Sequence, residues 1–111
     1  MKEAHIKAAI LEYLQSLPAF YCYPRTLQIA GIGGRRNLSV GMSDLLVCFR
    51  GKYLAIEVKT DTGQPSEKQC EYMAGVKRAG GHAIVARSVF DVIEYIDYLN
   101  ETIDEKNKNT M

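Results

Sequence analysis

The sequence predicts an α/β domain in three layers, α/β/α, with elements in the order α-β-β-β-α-β-α around a mixed four-stranded sheet. Three observations carry this. Apolar residues recur every three or four positions in three segments, which is the helical period. Four short runs between them are rich in β-branched and aromatic residues and are bounded by glycine, proline or aspartate clusters. A helical segment separates the third run from the fourth, so those two strands should lie parallel, while the first three form an antiparallel meander. Helices on both faces then enclose the sheet. The length of 111 residues suits one small domain, and 47% hydrophobic with 24% charged residues supports a folded globule.

The first helix spans about residues 2–16, with Ile6, Ile10, Tyr13, Leu14 and Leu17 on one stripe and Pro18 marking its exit. "AFYCYPRTLQIA" reads as a strand. Pro24 cannot donate to a ladder, so this strand belongs at an edge or carries a bulge. "GIGGRRNLSVG" reads as a flexible basic loop and fits neither the phosphate loop nor the dinucleotide fingerprint. The next stretch, "GMSDLLVCFRGKYLAIEVK", reads as two strands joined by a tight turn, and "TDTGQP" as the turn after them. Ser66 and Gln69 form a capping box for a helix that Gly80 and Gly81 stop. "HAIVAR" is a short buried strand. Ser88 then caps a helix with Val89, Val92, Ile93, Ile96 and Leu99 on its core side. Residues 1–100 make up the domain, and 101–111 read as a frayed polar tail.

No apolar run approaches the roughly 20 residues that span a bilayer. The charged N-terminus is unlike a signal peptide, so the cytoplasm is the default location. Cys22, Cys48 and Cys70 are widely spaced, show no zinc pattern and are expected to be small core residues. The net charge of +1 hides an asymmetry. Residues 18–88 carry ten Lys/Arg against five Asp/Glu, while 89–111 carry two against six. A basic middle is a weak pointer to a polyanion partner, and ordinary solvated charge would account for it equally well.

The hairpin raises the chemical question, because charge sits at the open ends of two apolar strands. With Gly51-Lys52 as a two-residue turn, Arg50 lies opposite Tyr53 and Asp44 opposite Lys59. Side chains alternate between faces, so Leu45, Val47, Phe49, Leu54, Ile56 and Val58 share one apolar face. Asp44, Glu57 and Lys59 share the other, with Asp44 and Glu57 diagonal neighbours about 7 Å apart. Two carboxylates that close repel unless a cation lies between them, and hard oxygen ligands favour Mg²⁺ or Mn²⁺. A solvated Asp44–Lys59 ion pair is an equally open reading. A register shift of one residue would break the convergence. Glu3 extends the core-facing stripe of the first helix and could join the acids, or it could simply favour the helix N-terminus. Gln69 could complete the cap alone, or could reach a phosphate or water from the stripe it shares with Met73 and Val76.

These residues resemble the PD-(D/E)XK nuclease superfamily, and most of all its VRR-NUC (virus-type replication-repair nuclease) branch. The family pattern stands here as "GMSD", then "IEVK", then "SEKQ", then "KRAGGHAIVAR", with Glu3 in the first helix, over roughly residues 1–100. Ser43 stands where the superfamily's name has proline. The resemblance implies a restriction-endonuclease-like core and Mg²⁺-dependent hydrolysis of DNA phosphodiesters, with Mn²⁺ as a substitute. It implies Asp44, Glu57 and the Val58 backbone carbonyl as metal ligands, with Lys59 acting on the attacking water. Glu3 and Gln69 would complete the catalytic group. Arg35 and Arg36, in the glycine loop, are candidate phosphate contacts. The chain is similar to the minimal stand-alone members from phages and bacteria, which work as homodimers on four-way DNA junctions, in bacterial or phage-infected cytoplasm. Two other readings stay open: a nucleic-acid-binding module with little or no catalysis, and a metal-free interaction domain.

Overall fold

The computed structural model describes residues 2–26 and 42–109. Its elements are α1 (Glu3–Ser16), β1 (Cys22–Thr26), β2 (Leu45–Phe49), β3 (Lys52–Val58), α2 (Glu67–Arg78), β4 (His82–Ala86) and α3 (Val89–Asn109). The order is the expected α-β-β-β-α-β-α. The strands run β1-β2-β3-β4 across one mixed sheet. The β1–β2 and β2–β3 pairs are antiparallel, and β3–β4 is parallel, as the intervening helix requires. Pro24 sits in β1 at the sheet edge, where its missing N–H costs no ladder bond. The glycine loop, with Arg35 and Arg36, lies outside the described residues, as do 27–30 of the expected first strand.

The core lies on one face of the sheet. Ile6, Ile10 and Leu14 of α1 and Val92, Ile96 and Leu99 of α3 bury against Leu45, Val47, Phe49, Leu54, Ile56 and Val58. This is the apolar face expected from the alternation. Helix α2 packs on the opposite face, over β3 and β4, with Met73 set against Ala55 and Ala83. Those small residues let the helix come close. Gly81 serves the same approach, because a Cβ there would stand 2.8 Å from Val76 Cγ1 and 3.2 Å from the Val76 carbonyl oxygen. Gly80, at φ 94°, ends the helix in the left-handed conformation that glycine adopts freely.

Two expectations need correction. Helix α3 continues through Asn109, so the polar stretch after residue 100 is helical rather than frayed. Part of the reason is tertiary: Asn100 and Asp104 hold Arg50 of the hairpin turn from successive turns of α3. Of the three cysteines, Cys22 is buried but Cys48 and Cys70 are exposed. Cys48 points to the α2 side of the sheet, where α2 covers β3 and β4 and the packing beneath it reaches Leu46 of β2 but not Cys48. Among the described residues no helix is long and apolar enough to cross a membrane.

Candidate active site

The hairpin turn is Arg50-Gly51, one residue earlier than the glycine alone suggests. Phe49 pairs with Lys52, Leu46 with Ala55 and Leu45 with Ile56. Both turn residues have positive φ, 48° for Arg50 and 83° for Gly51, which is the primed geometry of a two-residue hairpin. A non-glycine residue in that region is disfavoured by roughly 1 kcal/mol. Here Arg50 is held from three directions. Its backbone N–H donates to the Tyr21 carbonyl at 2.7 Å, and its guanidinium donates to Asn100 Oδ1 at 2.9 Å and Asp104 Oδ1 at 3.0 Å.

The pairing therefore differs by two positions from the sequence expectation. Two is the period of the strand, so every side chain keeps its face. What changes is the partner. Continued by one residue, the observed register sets Asp44 opposite Glu57 instead of Lys59. The two acids become direct neighbours, and the cross-strand ion pair with Lys59 is not formed. Asp44 Oδ2 instead accepts the Val58 backbone N–H at 2.8 Å, fastening the end of β2 to β3.

Glu57 is 1% exposed. Its Oε1 accepts from Gln69 Nε2 at 3.0 Å. Its Oε2 is buried and has no hydrogen-bond partner among the described residues, and the same is true of Ser43 Oγ. Burial first, then the Asp44 carboxyl, which can accept a hydrogen bond from Glu57 only when Glu57 is protonated, and the like charge of Asp44, push the Glu57 carboxyl up to about 8. Lys59 pulls it down and Glu3 adds a small push upward. With both carboxyls ionised there is no proton to place between them. A proton on Glu57, or a cation in its place, resolves the repulsion.

Gln69 answers both of its readings at once. Its Oε1 accepts the Ser66 backbone N–H at 2.8 Å, while its own N–H donates to Ser66 Oγ at 3.1 Å, completing the capping box. With the amide oxygen so occupied, the amide nitrogen faces Glu57. The helix cap thus orients the group that holds the buried acid.

Lys59 follows β3 and is half-buried, and its charge reaches Glu57. Glu3 stands in the first turn of α1 and is exposed. It influences Glu57 electrostatically but is not brought into a ligand group with the acids. Among the described residues no set of three or more His, Cys, Asp or Glu side chains forms a metal cage. Two carboxyls and a carbonyl still fit a hard cation, because Mg²⁺ is commonly held by one or two carboxylates, with waters and substrate phosphates filling its sphere. In extended backbone the N–H and C=O of one residue leave toward the same neighbour. Since the Val58 N–H meets Asp44, its carbonyl faces that side too. The unpartnered Glu57 oxygen is the atom that most needs such an ion.

One supporting residue escaped the sequence reading. Arg87, just after β4, donates through Nη1 to the carbonyls of Thr60 at 2.5 Å and Gly63 at 2.6 Å. It holds the loop that leads from Lys59 to the Ser66 cap. The only signal for it was an arginine ending an apolar strand.

A three-layer α/β/α domain with paired acids and a lysine at the open end of its central hairpin defines a nuclease-type fold of the restriction-endonuclease-like class. The comparisons agree. The VRR-NUC domain family model matches residues 6–90. A solved structure described as a VRR_NUC domain superposes with TM-score 0.61 at 24% identity, covering 89% of this chain and 94% of that one. Another, described as a VRR_NUC domain protein, superposes with TM-score 0.69 at 18% identity, covering 88% and 87%. At those identities the two structures speak for the fold. A comparison with curated protein sequences gives no match. The chain belongs to the VRR-NUC family.

Proposed function

We propose that this chain is a metal-dependent DNA endonuclease that hydrolyses phosphodiester bonds at the open end of the β2–β3 hairpin. Nuclease-family membership and a nucleic-acid substrate set the class. The observation that carries the finer reading is the Glu57 carboxyl, which is buried against Asp44 with one oxygen unpartnered among the described residues. Mere DNA binding gives no reason to keep an acid out of water beside a second acid.

Asp44, Glu57 and the Val58 carbonyl would hold the cation, Mg²⁺ by preference with Mn²⁺ as substitute. When bound, such an ion polarises a phosphoryl oxygen and lowers the pKa of water. The protein's own groups do the rest. Lys59 orients or deprotonates the attacking water and offsets the charge that builds on the pentavalent phosphorus. Gln69 fixes the Glu57 carboxylate, and Glu3 supports the site through its charge. Arg35 and Arg36 take backbone phosphates. The substrate preference is for branched DNA, including four-way junctions, cut by a homodimer.

The test is cleavage of a labelled four-way junction, a flap and a linear duplex with Mg²⁺, Mn²⁺ or EDTA. Cutting is expected with either cation and none with EDTA. Lys59→Ala should abolish cutting and leave DNA binding largely intact, whereas wild-type rates in that variant would sink the mechanism. Binding without cutting under every cation would leave a non-catalytic module. Sedimentation at micromolar concentration reads the dimer directly.

A further inference from the structure

A cavity of about 550 Å³ opens between α1, the loop after β3 and the start of α3, and the hydrolytic group does not use it. Its volume is that of a small-molecule site, roughly 300–1,000 Å³. Ile6, Ala9 and Val89 form an apolar wall, and Phe90 also lines it. The Phe90 ring is 70% exposed, although it belongs to a helix whose other large apolar residues mostly turn inward.

The cavity lies on the α1–α3 side of the sheet, and the chain links it to the hydrolytic group. Thr60 lines it and directly follows Lys59. Ile6 lies one helical turn from Glu3, about 4.5 Å of rise. Arg87 lines it as well, with Nη1 committed to the loop carbonyls of Thr60 and Gly63. Among the described residues no carboxylate comes within 4.0 Å of that guanidinium; the ion pair they form is Arg50 with Asp104. The arginine is thus fixed in place without a side-chain ion pair, while Asp91 Oδ2 accepts its backbone N–H at 2.8 Å. Asp61 is also at the wall, and its carbonyl accepts from the same Arg87 nitrogen at 3.4 Å.

An exposed ring, an apolar wall and an immobilised cation match the parts of a nucleotide. We propose that this cavity takes an unpaired base of the DNA substrate, stacked on Phe90, with a flanking phosphate on Arg87. The proposal rests on the nuclease reading and deepens it, because it names what selects the substrate. Aromatic stacking accepts any base, since each has a π-face. A base inside a continuous duplex must first be unstacked and unpaired, whereas one at a branch, flap or single-stranded end enters without that cost. The cavity therefore favours interrupted DNA over intact duplex.

The experiment uses the full chain in EDTA, so that binding is read without cutting. The probes are a short fluorescein-labelled single strand and the duplex of the same sequence. Phe90→Ala should weaken single-strand binding at least about fivefold while duplex binding stays within about twofold. Phe90→Tyr should restore it. A 2-aminopurine in the single strand should be quenched on binding to wild type and not to Phe90→Ala. The proposal is overturned if wild type ignores single strands, or if Phe90→Ala weakens both probes alike or neither. It is equally overturned if Phe90→Ala shifts only self-association in sedimentation, since the ring would then cover a second copy. Failure of the nuclease reading looks different: wild type would bind single strands through Phe90 and never cut any DNA with Mg²⁺ or Mn²⁺.

Discussion

The β2–β3 hairpin carries charge at both of its ends, and the two ends are built differently. At the turn, the Arg50 guanidinium meets Asn100 and the opposite charge of Asp104, with the Asp104 side chain 60% exposed. At the open end, Glu57 is 1% exposed and its nearest charged neighbour on the adjoining strand is another acid. The first arrangement is how folding places a charge: an opposite partner, and water within reach. The second opposes folding, because desolvating a carboxylate beside a like charge costs stability. Under the proposed function a group held that way is held for a cation, and the contrast can be tested from the open end to the turn.

The largest effect is expected at the acids. Calorimetric titration of wild type should show sub-millimolar Mg²⁺ or Mn²⁺ binding, and Asp44→Ala should abolish it. Single-turnover cutting should fall at least about 100-fold in Asp44→Ala or Glu57→Gln. Metal binding that survives Asp44→Ala would erase the distinction between the two ends.

Next comes the pH dependence of the metal-free protein. Glu57 titrates at about 8 in the folded chain against 4.5 for an unperturbed carboxyl. Between those values the folded state holds a proton that the unfolded state has released. Stability must therefore fall as pH rises through this window and level off above it, the reverse of a salt-bridged acid. Thermal melts in EDTA should drop from pH 5 to pH 8, by about 4–8 °C for each kcal/mol involved. Glu57→Gln should flatten the profile, and Mg²⁺ should raise the melting temperature more at pH 8 than at pH 6. A flat wild-type profile would mean that Glu57 is not held out of water as described.

Smaller effects separate the cap of α2 from the site it orients. Gln69→Ala should cost about 1 kcal/mol in denaturant melts through the lost cap. It should also weaken metal binding about 10- to 100-fold, because Glu57 loses the donor that holds it. Ser66→Ala removes only the hydroxyl acceptor, and should cost similar stability with little change in metal binding. Equal losses of metal affinity in both variants would show that Gln69 acts only through the helix.

The smallest effect belongs to the turn. Asp104→Ala should destabilise by less than ~1 kcal/mol, as exposed ion pairs do, and leave metal titration unchanged.

Much of this was legible in the chain itself. The stripes of α1 and α3, the edge position of Pro24 and the Ser66–Gln69 cap all rest on local period or local chemistry. The turn was not legible. Gly51 suits either placement, and the choice was made by Tyr21, Asn100 and Asp104, which are remote in sequence. The helical residues after Asn100 read as a tail because their composition is polar, with Ile103 alone extending the apolar stripe of Ile96 and Leu99. Cys48 read as core because strand alternation says which face a residue joins, not whether a second layer covers that face. For the same reason the cavity beside Phe90 could not be anticipated, since three separate elements form it.

By itself the sequence determined that Asp44, Glu57 and Lys59 share one face of the sheet, because strand alternation has a period of two and survives a two-residue shift. Only the tertiary structure decided that Asp44 lies opposite Glu57, that Gln69 reaches back from α2 to hold it, and that the acid is out of water. Those outcomes depend on where the turn closes and on what packs over the sheet, and both are set by contacts between residues far apart in the chain.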